Sequence, residues 1–99
     1  MEISEFQKMC ADVVSSVDKN LNIDRTDTFM VAQLAEEFGE LVHAVNIRAT
    51  KNKIPEKVVL EDEFADVLFM LCKMAEMFDV DFKKAVESKK AELKARRYL

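Results

Sequence analysis

Two short clusters of carboxylates are the residues of this chain that could do chemistry. The first, written EEFGE, holds Glu36, Glu37 and Glu40, and the second, written EFAD, holds Glu63 and Asp66. Side chains three positions apart on an α-helix lie about 60° apart around its axis, so each cluster presents two carboxylates to one side. Two such helices packed side by side would bring four carboxylates together.

A divalent cation is the ligand that such a grouping of acids favours. Neighbouring carboxylates repel one another and burial raises their pKa, whereas a hard cation with oxygen ligands removes both costs. Mg²⁺ is the expected ion and Mn²⁺ the alternative, since the nitrogen and sulfur ligands that zinc prefers form no cluster here. The other interpretation is a set of solvated acids on amphipathic helices. The apolar run VLFMLCKMAEMF, residues 67–78, weakens it, because Glu63 and Asp66 come directly before that run.

Four helices are predicted to position these acids, and no strand pattern occurs. Ser4 and Gln7 have the spacing of a capping box, and Pro55 suits the first turn of a helix. The short basic connector 50–54 makes the second and third helices antiparallel neighbours, as a shared site requires. We therefore expect an all-α, antiparallel four-helix bundle in a single domain, residues 1–99. The predicted helices run from Ser4 to about Leu21, Thr28 to Ala49, Pro55 to Phe78, and from a cap at Asp81 to about Arg97.

The composition indicates how such a domain is completed. The 99 residues are 49% hydrophobic and include one Gly and one Pro, as in a small helical protein. A helix that is apolar on nearly all sides needs more cover than a chain of this size supplies, so a homodimer or homotetramer is expected. Cys10 and Cys72 are predicted to be small core residues, without a disulfide. Neither a secretory segment nor a membrane-spanning stretch is found, which predicts a cytoplasmic protein that does not contact membranes.

Charge is unevenly distributed along the chain. The net charge is −4, yet residues 83–97 hold seven Lys and Arg against two Glu, which is +5 locally and leaves −9 elsewhere. Long nucleic acid is bound through a broad positive face, so it is not an expected partner. A small polyphosphate could instead be held by metal on the acidic side and by cations of the last helix.

The two acidic motifs, on consecutive helices, resemble the E-E-x-x-E and E-x-x-D pattern of the MazG-like nucleotide pyrophosphohydrolases, in the all-α NTP pyrophosphatase superfamily. The likeness extends from about Phe29 to Tyr98 and includes the apolar lead-in VAQLAEE and the basic ending RRY. It implies Mg²⁺-dependent hydrolysis of a nucleoside triphosphate between the α and β phosphates, which gives the monophosphate and pyrophosphate. A role in clearing the nucleotide pool would follow.

The resemblance also implies roles for individual residues. Glu36 would orient or deprotonate the attacking water. On the last helix the family pattern of phosphate-binding residues falls on Lys90, Lys94 and Arg97, although Lys94 stands where the family has Asn; another frame uses Lys89 and Arg96. The base preference is not predicted: Phe6, Met9 and Phe29 could stack on a base, but their spacing is more typical of core residues. The implied metal ligands are Glu37, Glu40, Glu63 and Asp66.

Two other classes of protein share parts of this pattern. Glu40 and His43 form a Glu-x-x-His pair of the kind found in helical di-iron proteins, but Phe69 occupies the place of the second His after Asp66. An outward-facing or packing role is expected for His43. A non-enzymatic nucleotide-binding or dimerisation module is the other alternative, and the presence of all four acids argues against an inactive copy.

Overall fold

The computed structural model describes residues 1–99 and contains four helices and no strand. The predicted all-α architecture of four helices is therefore confirmed, and the predicted boundaries are correct to within a few residues. None of the four helices combines the length and the hydropathy needed to cross a membrane. The helices are α1, Ile3–Leu21; α2, Asp27–Lys51; α3, Lys57–Met77; and α4, Phe82–Ala95.

Helix starts are partly as predicted. The Asp81 side chain accepts a hydrogen bond from the backbone N–H of Lys84 at 3.0 Å, so its capping role is confirmed. The capping box at Ser4 and Gln7 is wrong, because α1 begins at Ile3 and Gln7 is buried against another segment. Pro55 was expected inside α3 but lies in the connector, since the backbone is still extended at Glu56.

Helix α3 is the central element, and both α1 and α2 pack on it. Near the start of α1, Lys8 Nζ lies 3.3 Å from Glu76 Oε2. Two turns later, Ser15 Oγ accepts a hydrogen bond of 2.8 Å from Lys73, which precedes Glu76 on α3. Helix α1 therefore runs antiparallel to α3 and packs along the C-terminal half of α3.

Helix α2 covers the other half of α3. Met30, near the start of α2, packs against Met70, whereas Glu40 lies beside Glu63, nearer the start of α3. Helices α2 and α3 are therefore antiparallel neighbours, as predicted. Helices α1 and α2 follow one another along α3, so the acids of α2 and α3 meet at the opposite end from the α3–α4 turn.

The core is small and lies where the first three helices meet. Val14, Met30 and Met70 form its centre, and Met30 is fully buried. Cys10 and Cys72 are buried free thiols, as predicted. Burial and then the neighbouring Cys10 raise the pKa of Cys72 to about 11, which keeps this thiol neutral at physiological pH.

Helix α4 is attached mainly through its first residues. Gln7 Nε2 donates to the carbonyl oxygen of Val80 at 2.7 Å, and Gln7 Oε1 accepts from the backbone N–H of Phe82 at 2.9 Å. From Lys83 onward only Leu93 is partly covered. The basic helix therefore projects from the rest of the chain.

Many large apolar side chains stay uncovered in the single chain. Phe38, Val42 and Val45 on α2 and Phe64 on α3 are each about half exposed. The radius of gyration is 16.1 Å, against about 13 Å for a compact domain of this length. One copy of the chain thus leaves an open, apolar surface along α2 and α3.

Candidate metal centre

The four carboxylates that the sequence singled out as metal ligands meet at the seam between α2 and α3. One oxygen from each of them lies within 4.8 Å of the others. Oxygen ligands bind Mg²⁺ or Ca²⁺ at roughly 2.0–2.6 Å, so oxygens that share an ion lie at most about 5 Å apart. The predicted convergence therefore occurs, with a spacing that suits a common cation. The residues are Glu37, Glu40, Glu63 and Asp66.

Buried apolar residues next to the acids explain why they meet. Leu41 and Ala44 on α2 and Val67 on α3 are buried. Each lies within one helical turn of an acidic residue of its own helix. Packing of these apolar residues between α2 and α3 therefore places the acids at the border of the helix–helix contact. The i, i+3 spacing within each motif then aligns two carboxylates per helix.

The acids carry an electrostatic cost in the absence of a cation. Burial and then the charges of Asp66 and Glu40 raise the pKa of Glu37 to about 6. Burial, followed by neighbouring carboxylates, also raises the pKa of Glu63 and of Asp66. Repulsion among desolvated carboxylates is the condition that a bound divalent cation relieves.

Two oxygens of the cluster are buried without any partner. They are Oε2 of Glu37 and Oε2 of Glu63, one from each helix, and neither accepts a hydrogen bond. A buried polar atom without a hydrogen-bond partner is destabilising, because it has lost its contact with water and gained no replacement. These orphaned oxygens and the all-oxygen donor set fit a hard cation such as Mg²⁺ or Mn²⁺.

A cavity of about 300 Å³ opens beside the acidic cluster and includes Glu37 and Asp66 in its wall. One side is apolar and is formed by residues of α1 and α3, among them Val13, Val17 and Phe69. The sequence analysis missed the other polar residues of its lining, which are Asp18, Arg25 and Gln33. The only sequence signal for these residues is the position of Arg25, a charged residue in the polar segment between α1 and α2.

The remaining acid, Glu36, is exposed on α2 next to the cluster. It is not one of the four converging carboxylates, although its charge contributes to the raised pKa of Glu37. The one glycine of the chain, Gly39, lies within the first acidic motif, where the lack of a side chain would allow another helix or a ligand to approach closely. Within the chain no helix approaches it, because a Cβ built there meets no atom within 4 Å.

The predicted phosphate-binding residues are not brought to the acids within one chain. Lys90 and Lys94 are exposed on the projecting α4 and form no ion pair. Arg97 lies beyond the helix in a left-handed conformation, φ 62°, so it does not share a helical face with Lys90 and Lys94. The alternative pair of phosphate-binding residues, Lys89 and Arg96, already forms ion pairs within α4, because both side chains contact Glu92.

The candidate stacking residues, and His43 of the di-iron pattern, also lie outside the carboxylate cluster. Phe6 is half-buried, whereas Met9 and Phe29 are exposed, so a core position for these two is wrong in the single chain. The Phe29 ring instead lies 5.1 Å below the guanidinium of Arg25, a cation–π contact. His43 is exposed and is not part of the carboxylate cluster, as expected.

Comparison with known proteins covers both acidic motifs. Residues 25–97 match the family described as the MazG nucleotide pyrophosphohydrolase domain. An uncharacterized protein of Bacillus subtilis (strain 168), YpjD, is similar, with 32% identity over 79% of this chain and 77% of YpjD. No solved structure gives a significant match.

Proposed function

This chain belongs to the MazG nucleotide pyrophosphohydrolase domain family, as its acidic motifs indicated, and we propose that it hydrolyses nucleoside triphosphates between the α and β phosphates. One water is consumed, the α–β anhydride bond breaks, and the products are the nucleoside monophosphate and pyrophosphate. Clearing unwanted nucleotides from the pool is the role that this reaction would serve.

The observation that carries the proposal is the convergence of four carboxylates, two with orphaned oxygens, beside a cavity lined by both apolar and polar side chains. Glu37, Glu40, Glu63 and Asp66 would hold Mg²⁺, or Mn²⁺ in its place. A divalent cation in such a site neutralises phosphate charge and lowers the pKa of water. Without a cation these acids would repel a triphosphate, so the family reaction requires one.

The chain's own residues supply positioning and proton transfer. Glu36 lies next to the cluster and is exposed, so its carboxylate is free to orient the attacking water and accept its proton. Lys90 and Lys94 would hold phosphate oxygens. Arg97 would do so from the segment after α4, rather than from the same helical face.

We further propose that the working unit is a homodimer or homotetramer. The exposed apolar side chains of α2 and α3 border a groove lined by Leu41, Val42, Val45 and Phe64, which a second copy would cover. The basic α4 projects away from its own body, and that body is acidic. Charge complementarity therefore favours docking of α4 from one copy against the acidic side of another, where its lysines would reach the triphosphate.

The reaction is tested by incubating the protein with a panel of ribo- and deoxynucleoside triphosphates and Mg²⁺. Pyrophosphate and monophosphate, formed in equal amounts and abolished by a chelator, are the expected products. Orthophosphate and diphosphate as the only products would contradict the proposed bond cleavage. Nucleotide binding without any turnover would favour a non-enzymatic binding module.

A further inference from the structure

Arg25 and Asp18 form a nearly buried ion pair in the wall of the cavity beside the acidic cluster; their side chains are 6% and 11% exposed. Nη1 of Arg25 also donates to Oε1 of Gln33 at 2.6 Å. The same nitrogen lies 3.8 Å from the sulfur of Met30 and 3.9 Å from that of Met70. Residues of α1, α2 and α3 therefore hold the guanidinium in place.

These contacts fix the orientation of the Gln33 amide. A guanidinium carries only donors, so the atom of Gln33 that faces Arg25 must be the carbonyl oxygen Oε1. The amide nitrogen Nε2 then faces away from Arg25 with two N–H groups. It has no hydrogen-bond partner in the chain and is not among the enclosed polar atoms, so it is open to a ligand.

The position of Gln33 relates it directly to the acids. Gln33 precedes Glu37 by four residues on α2, which places both side chains on one face of the helix, and both line the same cavity. The lining of this cavity also includes apolar residues, among them Val13 and Val17, which suit a flat base better than charged phosphates. Glu37 and Asp66 would repel phosphates from this cavity unless a cation were bound.

We propose that Gln33 determines base specificity, by selecting nucleoside triphosphates whose base presents a carbonyl oxygen over those that present an amino group at that place. This inference rests on the proposed pyrophosphohydrolase function. With Oε1 held by Arg25, Gln33 offers the base only donors. A carbonyl oxygen accepts one of them, whereas an amino group would meet a donor with a donor and leave both unpaired.

Two matched substrate pairs test this selectivity. UTP and CTP exchange a carbonyl oxygen for an amino group on the base edge, and so do ITP and ATP. For the wild type we expect kcat/KM to favour the carbonyl member of a pair by at least about tenfold, because a base with the wrong hydrogen-bonding pattern leaves a site donor unpaired. The ratio within a pair does not depend on the fraction of protein that is folded.

The decisive variant is Gln33→Glu. A carboxylate keeps the contact with Arg25 and replaces the Nε2 donor by an acceptor, so the preference should shift towards the amino member of the pair. Gln33→Met, which offers neither donor nor acceptor of comparable strength, should bring the ratio close to one. Glu61→Gln, on the exposed surface of α3, is the control that should leave the ratio unchanged.

Binding measurements separate this inference from the proposed reaction. The dissociation constants of the four nucleotides are measured by calorimetry with Ca²⁺ in place of Mg²⁺. Equal ratios of kcat/KM in wild type and Gln33→Glu, with pyrophosphate still released, would overturn the role of Gln33 and leave the reaction standing. If no nucleotide is turned over, a preference in binding that Gln33→Glu reverses supports the role of Gln33, and equal dissociation constants overturn it.

Discussion

The guanidinium of Arg25 donates two parallel hydrogen bonds to the carboxylate of Asp18, from Nε at 2.7 Å and from Nη2 at 2.8 Å. Asp18 belongs to α1, and Arg25 lies in the turn just before α2. Bidentate pairs of this kind hold both groups in a defined orientation. Since α1 and α2 each pack mainly on α3, this pair is the polar link that fixes their junction beside the candidate site.

The first prediction concerns acid stability. The hydrogen bonds from Arg25 lower the pKa of Asp18 below its usual 3.8, so the unfolded state binds more protons than the folded state between the two values. The contribution of Asp18 to the free energy of unfolding is therefore present above about pH 3.8 and is lost as the pH falls through the lower, folded pKa. Urea unfolding of wild type and Asp18→Asn should differ by about 3 kcal/mol at pH 7 and by less near pH 2.

Asp12→Asn is the matched control for that experiment. Asp12 pairs with Lys8 on the exposed face of α1, where solvent screens an ion pair so strongly that its removal should change the free energy of unfolding very little. A difference between wild type and Asp18→Asn that stays constant from pH 7 to pH 2 would mean that the ionised carboxylate is not the stabilising form.

The second prediction concerns the core. Met30 is fully buried between Val14 and Met70, so Met30→Ala should lower the free energy of unfolding by about 3 kcal/mol. Val58, at the start of α3, is 69% exposed, so Val58→Ala should change the free energy of unfolding by less than about 0.5 kcal/mol. Losses of similar size in the two variants would show that the core does not lie where the three helices meet.

The third prediction uses Gly39, which lies inside α2 with open space around its missing Cβ. Replacing a helix-interior glycine by alanine stabilises a helix by about 1 kcal/mol, so Gly39→Ala should raise the melting temperature. Thermal unfolding followed by circular dichroism measures this. A lower melting temperature would show that a second copy of the chain packs against Gly39 in the assembled protein.

The fourth prediction concerns the basic helix. If Lys90 binds only ground-state phosphate, Lys90→Ala should raise KM for the triphosphate more than it lowers kcat, by about tenfold in KM. Steady-state kinetics of pyrophosphate release gives both constants. Lys53→Ala, in the connector before α3, is the control and should leave kcat and KM unchanged. Unaltered kinetics in Lys90→Ala would show that Lys90 is a solvated surface residue that does not bind the triphosphate.

The parts of the molecule that follow from local spacing could be predicted from the sequence. The helical periodicity gave the four helices, Asp81 was identified as a cap, and the i, i+3 acids converge as expected. Contacts between distant segments could not be read in this way. Gln7 has the local spacing of a capping residue, yet its side chain is buried against the turn between α3 and α4. There its amide nitrogen and its amide oxygen both form hydrogen bonds with the backbone of that turn.

The same distinction applies to the site. The carboxylates could be predicted because their i, i+3 spacing is visible in the sequence. Arg25 and Gln33 have no such pattern, and they come together only through the packing of α1 and α2 on α3. The family pattern placed Arg97 on the last helix together with Lys90 and Lys94. The helix ends earlier, at Ala95, with Arg97 in the left-handed position and the N–H of Tyr98 bonded to the carbonyl of Leu93, a closing motif that does not depend on glycine.

The central claim is that the four carboxylates bind a divalent cation, and Mn²⁺ binding followed by electron paramagnetic resonance tests it most directly. The wild type should bind Mn²⁺ in competition with Mg²⁺, whereas Glu40→Gln and Asp66→Asn should weaken binding at least about tenfold and abolish pyrophosphate release, with helicity retained. Glu61→Gln should bind as the wild type does. Unchanged Mn²⁺ binding and turnover in both cluster variants would contradict the metal centre.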